Sequence, residues 1–92
     1  MDTLNQEQIA AALASLPDWS MQGDALTRTF RFADFVHSID FVERLADVAE
    51  ERQHHPDIDI RYNKVTLRLS THSAGGVTQR DVDLAEAIGH LV

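Results

Sequence analysis

The chain contains no cysteine, which excludes disulfides, thiolate–metal centres and cysteine nucleophiles together. A reducing compartment fits that lack, and a cytoplasmic location is the expectation. Proline is scarce, and both examples, Pro17 and Pro56, stand where a helix should end. No apolar run approaches the ~20 residues a membrane span requires. The segment Met1-Asp2-Thr3-Leu4-Asn5 has neither the basic start nor the apolar centre of a secretory leader. Positive charge is also in short supply: 15 acidic residues face 8 basic ones, for a net charge of −7. Such a field repels phosphate backbones, so neither nucleic acid nor membrane is an expected partner. Arg28, Arg31, Arg61, Lys64 and Arg68 scatter through expected strands, as ordinary paired or solvated charges do.

What is present describes an ordinary globular chain. Hydrophobic residues make up 43% and charged residues 25%, the balance of a soluble domain. At 92 residues the expectation is one domain over 1–92, with an interior small enough that self-association would help it.

Local signals divide the chain into seven elements. Asn5 and Gln8 are spaced as a capping box, with Leu4 and Ile9 as a hydrophobic staple. Ile9, Ala12, Leu13 and Leu16 continue at helical spacing until Pro17. Trp19-Ser20-Met21 reads as a short strand, Gln22-Gly23-Asp24 as a turn, and Ala25 to Phe32 as a second strand. On that strand Leu26, Phe30 and Phe32 share a face; Arg28 breaks the pattern, which predicts a sheet edge or a reach into solvent. Asp34 caps a long helix whose inward stripe is read as Phe35, Ile39, Val42, Leu45, Ala46 and Ala49. Phe41 and Val48 fall off that stripe, so they are expected to contact another subunit.

Beyond Pro56, Ile58 and Ile60 alternate with charges, and Val65, Leu67 and Leu69 alternate with polar residues. Tyr62-Asn63 between them makes a β-hairpin. After Gly75-Gly76, Thr78 and Asp81 form a second capping box, stapled by Val77 and Val82. Val82, Ala85, Ile88 and Leu91 then face inward. The short connections force antiparallel hairpins. The predicted fold is α+β, in the order α-β-β-α-β-β-α, with a four-stranded antiparallel sheet and three helices on one face.

Three of the five histidines fall where that fold would gather them. His54 and His55 end the long helix, and His72 follows the last strand. Pairing around Tyr62-Asn63 carries both to one rim of the sheet. Acid–base catalysis, ordinary polar loop residues and a three-imidazole zinc site all remain open on these residues alone. Two adjacent side chains rarely aim at one ion, and no fourth ligand lies close in sequence.

The pattern Glu50-x3-His54-His55-Pro56-x5-Tyr62-x9-His72-x8-Asp81, with Tyr62-Asn63-Lys64-Val65 and Ser70-Thr71-His72, resembles the pterin-4a-carbinolamine dehydratase family. The resemblance spans nearly the whole chain and implies the same α+β fold. It implies a lyase that removes water from 4a-hydroxytetrahydropterin, in the cycle that regenerates tetrahydropterin. It assigns acid and base to His54 and His72, and substrate orientation to His55. Ser70, Thr71, Ser73 and Glu50 would line the pocket, with Asp81, Gln53 and Pro56 in support; no metal or cofactor is implied. Asp81 and Tyr62 each have a structural explanation too, as a cap and a turn aromatic, and His37 and His90 match nothing.

Ile58 replaces a tryptophan found in animal members, which would remove one stacking wall. Gln53 stands where an acidic residue often precedes the histidines. The family also contains binding modules, a transcription-factor dimerisation cofactor and a carboxysomal assembly factor; the latter branch typically lacks the histidines that this chain retains. A homodimer or homotetramer is expected, by sheet edges and by packing of the long helices.

Overall fold

Each expected cap is formed. In the computed structural model, which describes residues 2–92, Asn5 and Gln8 close a capping box on helix α1 (Gln6–Ala14). Asp34 accepts from the His37 amide at the start of α2 (Phe35–Arg52). Thr78 and Asp81 close a second box on α3 (Gln79–Gly89). Helix α1 stops at Ala14, and Leu16 is buried beyond it rather than on it.

The strands are β1 (Ser20–Gln22), β2 (Ala25–Arg31), β3 (Asp57–Arg61) and β4 (Lys64–Leu69). They form one antiparallel sheet in the order β1-β2-β4-β3. Helix α2 therefore crosses from β2 to β3, on either side of β4. Leu26 opposes Leu69, and Phe30 opposes Val65, on the covered face. These residues join Phe41 and Leu45 of α2, and Leu84, Ala85 and Ile88 of α3, in one core. The other face carries polar pairs, among them Thr29 and Thr66 with hydroxyls 2.9 Å apart.

Arg28 stands at a local sheet edge, as expected: it opposes Leu67 of β4, while β1 pairs only with Ala25, Leu26 and Thr27 and leaves the other side of β2 open from Arg28 onward. Its guanidinium covers the Phe30 ring at 4.1 Å and meets the exposed Asp18 at 3.6 Å. Stacking on an aromatic face lets a cation lie on the apolar side of a strand. One expectation fails, the inward face of α2: Ser38, Phe41, Leu45 and Ala49 are buried, whereas Phe35 and Ala46 are exposed. Phe41, fully buried between Phe30 and Phe32 at 4.8 and 5.1 Å, is a core residue and not a subunit contact.

Candidate active site

Three chain segments converge at one end of the sheet. The first is the exit of α2. Gln53 takes a left-handed conformation (φ 52°, ψ 41°), and its amide bonds back to the helix, the usual geometry for ending one. The Arg80 guanidinium donates to the Gln53 carbonyl at 2.6 Å and reaches that of Arg52 at 3.5 Å. A cation at the carbonyl end of a helix complements its dipole. His54, His55 and Pro56 follow directly and lead into β3.

The second segment is the end of β4. Ser70 leaves the strand, Thr71 bridges to Gly76, and His72 opens a single 3-10 turn, His72–Ala74. Gly75 closes that turn at φ 78°, a conformation a side chain disfavours. The third segment is the first turn of α3, which supplies Asp81.

Asp81 is fully buried. Its Oδ2 accepts from the Thr78 amide at 2.9 Å and the Thr71 hydroxyl at 2.8 Å. Thr71 has given its only proton to Asp81, so the 2.8 Å contact between the Thr71 and Thr78 hydroxyls must be donated by Thr78. Asp81 Oδ1 lies 2.5 Å from His54 Nε2. This bond places the His54 proton on Nε2 and leaves Nδ1 as the nitrogen available for exchange.

His54 is mostly buried, with 11% of its side chain exposed. His55 is the opposite: its Nε2 pairs with Glu50, and both groups are exposed. His72 is exposed as well. All three imidazoles line one cleft of about 460 Å³, together with Gln53, Pro56, Ser70, Thr71 and Ser73. The sequence-expected residues are thus brought together, with Glu50 at the rim and Asp81 behind His54. Ile58, an exposed residue of β3, does not line this cleft. Among the described residues, no group of three or more histidines and carboxylates is arranged to hold a metal.

Asp57 and Arg80 also line the cleft and were not legible as site residues. Arg80 carries no sequence signal beyond its place beside Asp81, because its partners lie 27 and 28 residues away. A cavity of similar size, about 470 Å³, lies between Trp19, Arg28, Glu86 and His90. It holds one imidazole with the carboxylates of Asp18 and Glu86, whereas three imidazoles meet in the histidine cleft.

Residues 2–91 match the family described as pterin 4 alpha carbinolamine dehydratase. The chain belongs to that family. A relative from Nocardia farcinica, provisionally named pterin-4-alpha-carbinolamine dehydratase, is 53% identical over 98% of this chain and 95% of its own. One from Thermomicrobium roseum with the same provisional name is 50% identical over 99% and 98%. A crystal structure from Brucella melitensis, described as a transcriptional coactivator/pterin dehydratase, superposes with a TM-score of 0.94 at 34% identity, covering 98% of both chains. A pterin dehydratase-like protein described as a RuBisCO assembly factor of the alpha-carboxysome gives 0.69 at 25% identity, over 80% of this chain and 88% of its own. The family thus pairs a dehydratase name with proteins described by their partners.

Proposed function

We propose that residues 1–92 act as a single cytoplasmic domain that dehydrates 4a-hydroxytetrahydropterin to quinonoid dihydropterin and water, in tetrahydropterin recycling. The observation that carries this reading is the convergence of His54, His55 and His72 in one cleft, with buried Asp81 behind His54.

Hydroxide is a poor leaving group, so the C4a oxygen must be protonated as its bond to carbon breaks. The lone pair of N5 forms the new double bond to C4a, and a base removes the proton then released. Atoms and electrons balance without a redox partner. Imidazoles titrate near ~6.5 and exchange protons in both directions near neutrality. His54 and His72 take the roles of acid and base. Asp81 fixes the ring and tautomer of His54, as a buried carboxylate does for a catalytic imidazole elsewhere. His55, held by Glu50 at the rim, orients the pterin, and Ser70, Thr71 and Ser73 offer hydroxyls to its polar edges.

A second reading is a non-enzymatic protein-binding module, favoured by the exposed Phe35 and Val36 at the start of α2. A dehydratase assay on freshly generated 4a-hydroxytetrahydropterin separates the two. His54→Ala and His72→Ala should each slow turnover by ~10²-fold or more, the scale for losing a general acid or base. His55→Ala should chiefly raise KM. Folded His54→Ala and His72→Ala variants that work at the wild-type rate would end the catalytic assignment.

A further inference from the structure

The cavity bordered by Trp19, Arg28, Glu86 and His90 shares no residue with the histidine cleft. It lies where three parts of the chain meet. Ser15 caps the end of α1, and the residues after it lead through Trp19 toward β1. Glu86 belongs to the last turn of α3 and His90 caps it, while Arg28 comes from β2. The volume, about 470 Å³, is that of pockets that enclose small molecules.

Two donors on its wall lack an ordinary acceptor. Trp19 is 5% exposed, and its Nε1–H, sealed from solvent, has no hydrogen-bond partner among the described residues. An indole N–H can only donate, and a buried polar group left unpaired is uncommon. Arg28 is the second. Its side chain is 19% exposed, and its 3.6 Å contact with Asp18 exceeds hydrogen-bond length. Stacking on Phe30 at 4.1 Å holds the guanidinium in place but supplies no oxygen acceptor. The rest of the wall is negative or apolar. Asp18 and Glu86 bring two carboxylates, and the C-terminal ends of α1 and α3 carry partial negative charge. Leu16, Pro17 and Ala85 complete it with hydrocarbon.

We propose that this cavity binds a zwitterionic α-amino acid with an apolar side chain, at a site separate from the histidine cleft. A plain cation would leave both donors unanswered. A plain anion would meet two carboxylates and two helix C-termini against one guanidinium, and be repelled. A carboxylate and an ammonium on one carbon answer both demands. The carboxylate takes the fork of Arg28, the pairing that guanidinium geometry favours, and turns one oxygen to the Trp19 N–H. Asp18, 70% exposed and loosely held, swings aside to open that donor. The ammonium goes to Glu86 and the carbonyl end of α3, and the side chain lies on Leu16, Pro17 and Ala85. The dehydratase reading neither supplies this site nor requires it.

Trp19 is the only tryptophan, so isotope-labelled protein shows one indole N–H resonance by NMR. The full chain is titrated with L-leucine and with two truncated isosteres: isocaproate, which lacks the ammonium, and isoamylamine, which lacks the carboxylate. Leucine should move the indole resonance downfield and saturate. It should bind at least about tenfold more tightly than either isostere, the effect of one charge-assisted hydrogen bond. Glu86→Gln, at an exposed position, should weaken leucine about tenfold without weakening isocaproate. Arg28→Gln should weaken both; if that variant does not fold, Glu86→Gln still decides. An indole resonance that millimolar leucine leaves unmoved would overturn the site. Leucine and isocaproate bound equally well, or a leucine affinity unchanged in Glu86→Gln, would overturn the zwitterion as its ligand.

Discussion

Asp81 caps α3 with one carboxylate oxygen and holds His54 with the other. Its cap was readable because Thr78 lies three residues away, within a single helical turn. Its bond to His54 spans 27 residues, so nothing local announces it, and the capping box alone accounted for the residue. Glu50 and His55 lie on the near side of that limit: only five residues apart across a helix end, they pair as a carboxylate beside two histidines suggests. Asp81→Asn separates the two roles. The asparagine oxygen still accepts from Thr78 and Thr71, but its NH2 group faces His54 Nε2 and forces the proton to Nδ1. We expect kcat to fall ~10²-fold or more with the melting temperature little changed, the pattern of a catalytic imidazole locked in the wrong tautomer. Asp81→Ala should in addition lower stability, because each buried donor left unpaired costs about 1–3 kcal/mol. Wild-type kcat in a folded Asp81→Asn protein would sink the His54–Asp81 pairing as a catalytic feature.

At the scale of elements, all three helices and both hairpins were legible from caps, alternation and the two prolines. The face that α2 buries was not. Its apolar residues extend well around the helix, so spacing admits more than one inward stripe. Ser38 is polar by type and buried all the same: its hydroxyl donates to the Asp34 carbonyl at 3.0 Å and needs no solvent. The buried row then runs Ser38, Phe41, Leu45, Ala49. The start of the same helix makes a pH prediction. Bonds from the His37 amide and ring lower the Asp34 pKa from its ordinary 3.8, and the Asp34 carboxylate raises that of His37 from 6.5. Asp34 contributes fully above 3.8, and its contribution is lost as pH falls through its lowered value. His37 contributes fully below 6.5 and loses its contribution as pH rises through its raised value. The melting-temperature gap between wild type and Asp34→Ala should therefore be widest between those two ordinary values and narrow on either side. A gap that still narrows at acid pH but stays flat as pH rises through the raised His37 value would refute the coupling, leaving Asp34 as a cap alone.

For the whole molecule, correcting the face of α2 moves the expected subunit contact. Phe41 is interior, and a charge there should unfold the protein, since truncating a buried phenylalanine alone costs about 3–5 kcal/mol. The outward apolar surface is instead at the first turn of α2, where Phe35 is 49% and Val36 64% exposed. The sheet edges are less inviting to a second copy. Strand β1 has only three residues, and β3 alternates Asp57, Asp59 and Arg61 along its uncovered face, and short or charged edges discourage edge pairing. A chain of this size has little interior to stabilise it, and covering two adjacent large side chains removes a substantial apolar area from water. We therefore predict at least a dimer, with the outward face of α2 in the contact. Val36→Glu should lower the mass measured by light scattering while dehydratase turnover persists, because the histidine cleft lies at the opposite end of the 18-residue helix. A wild-type mass of 10.3 kDa at micromolar concentration would sink the oligomer. An unchanged assembly in Val36→Glu would instead move the contact to the sheet edges, where the charges on β3 would then have to pair with those of the second copy.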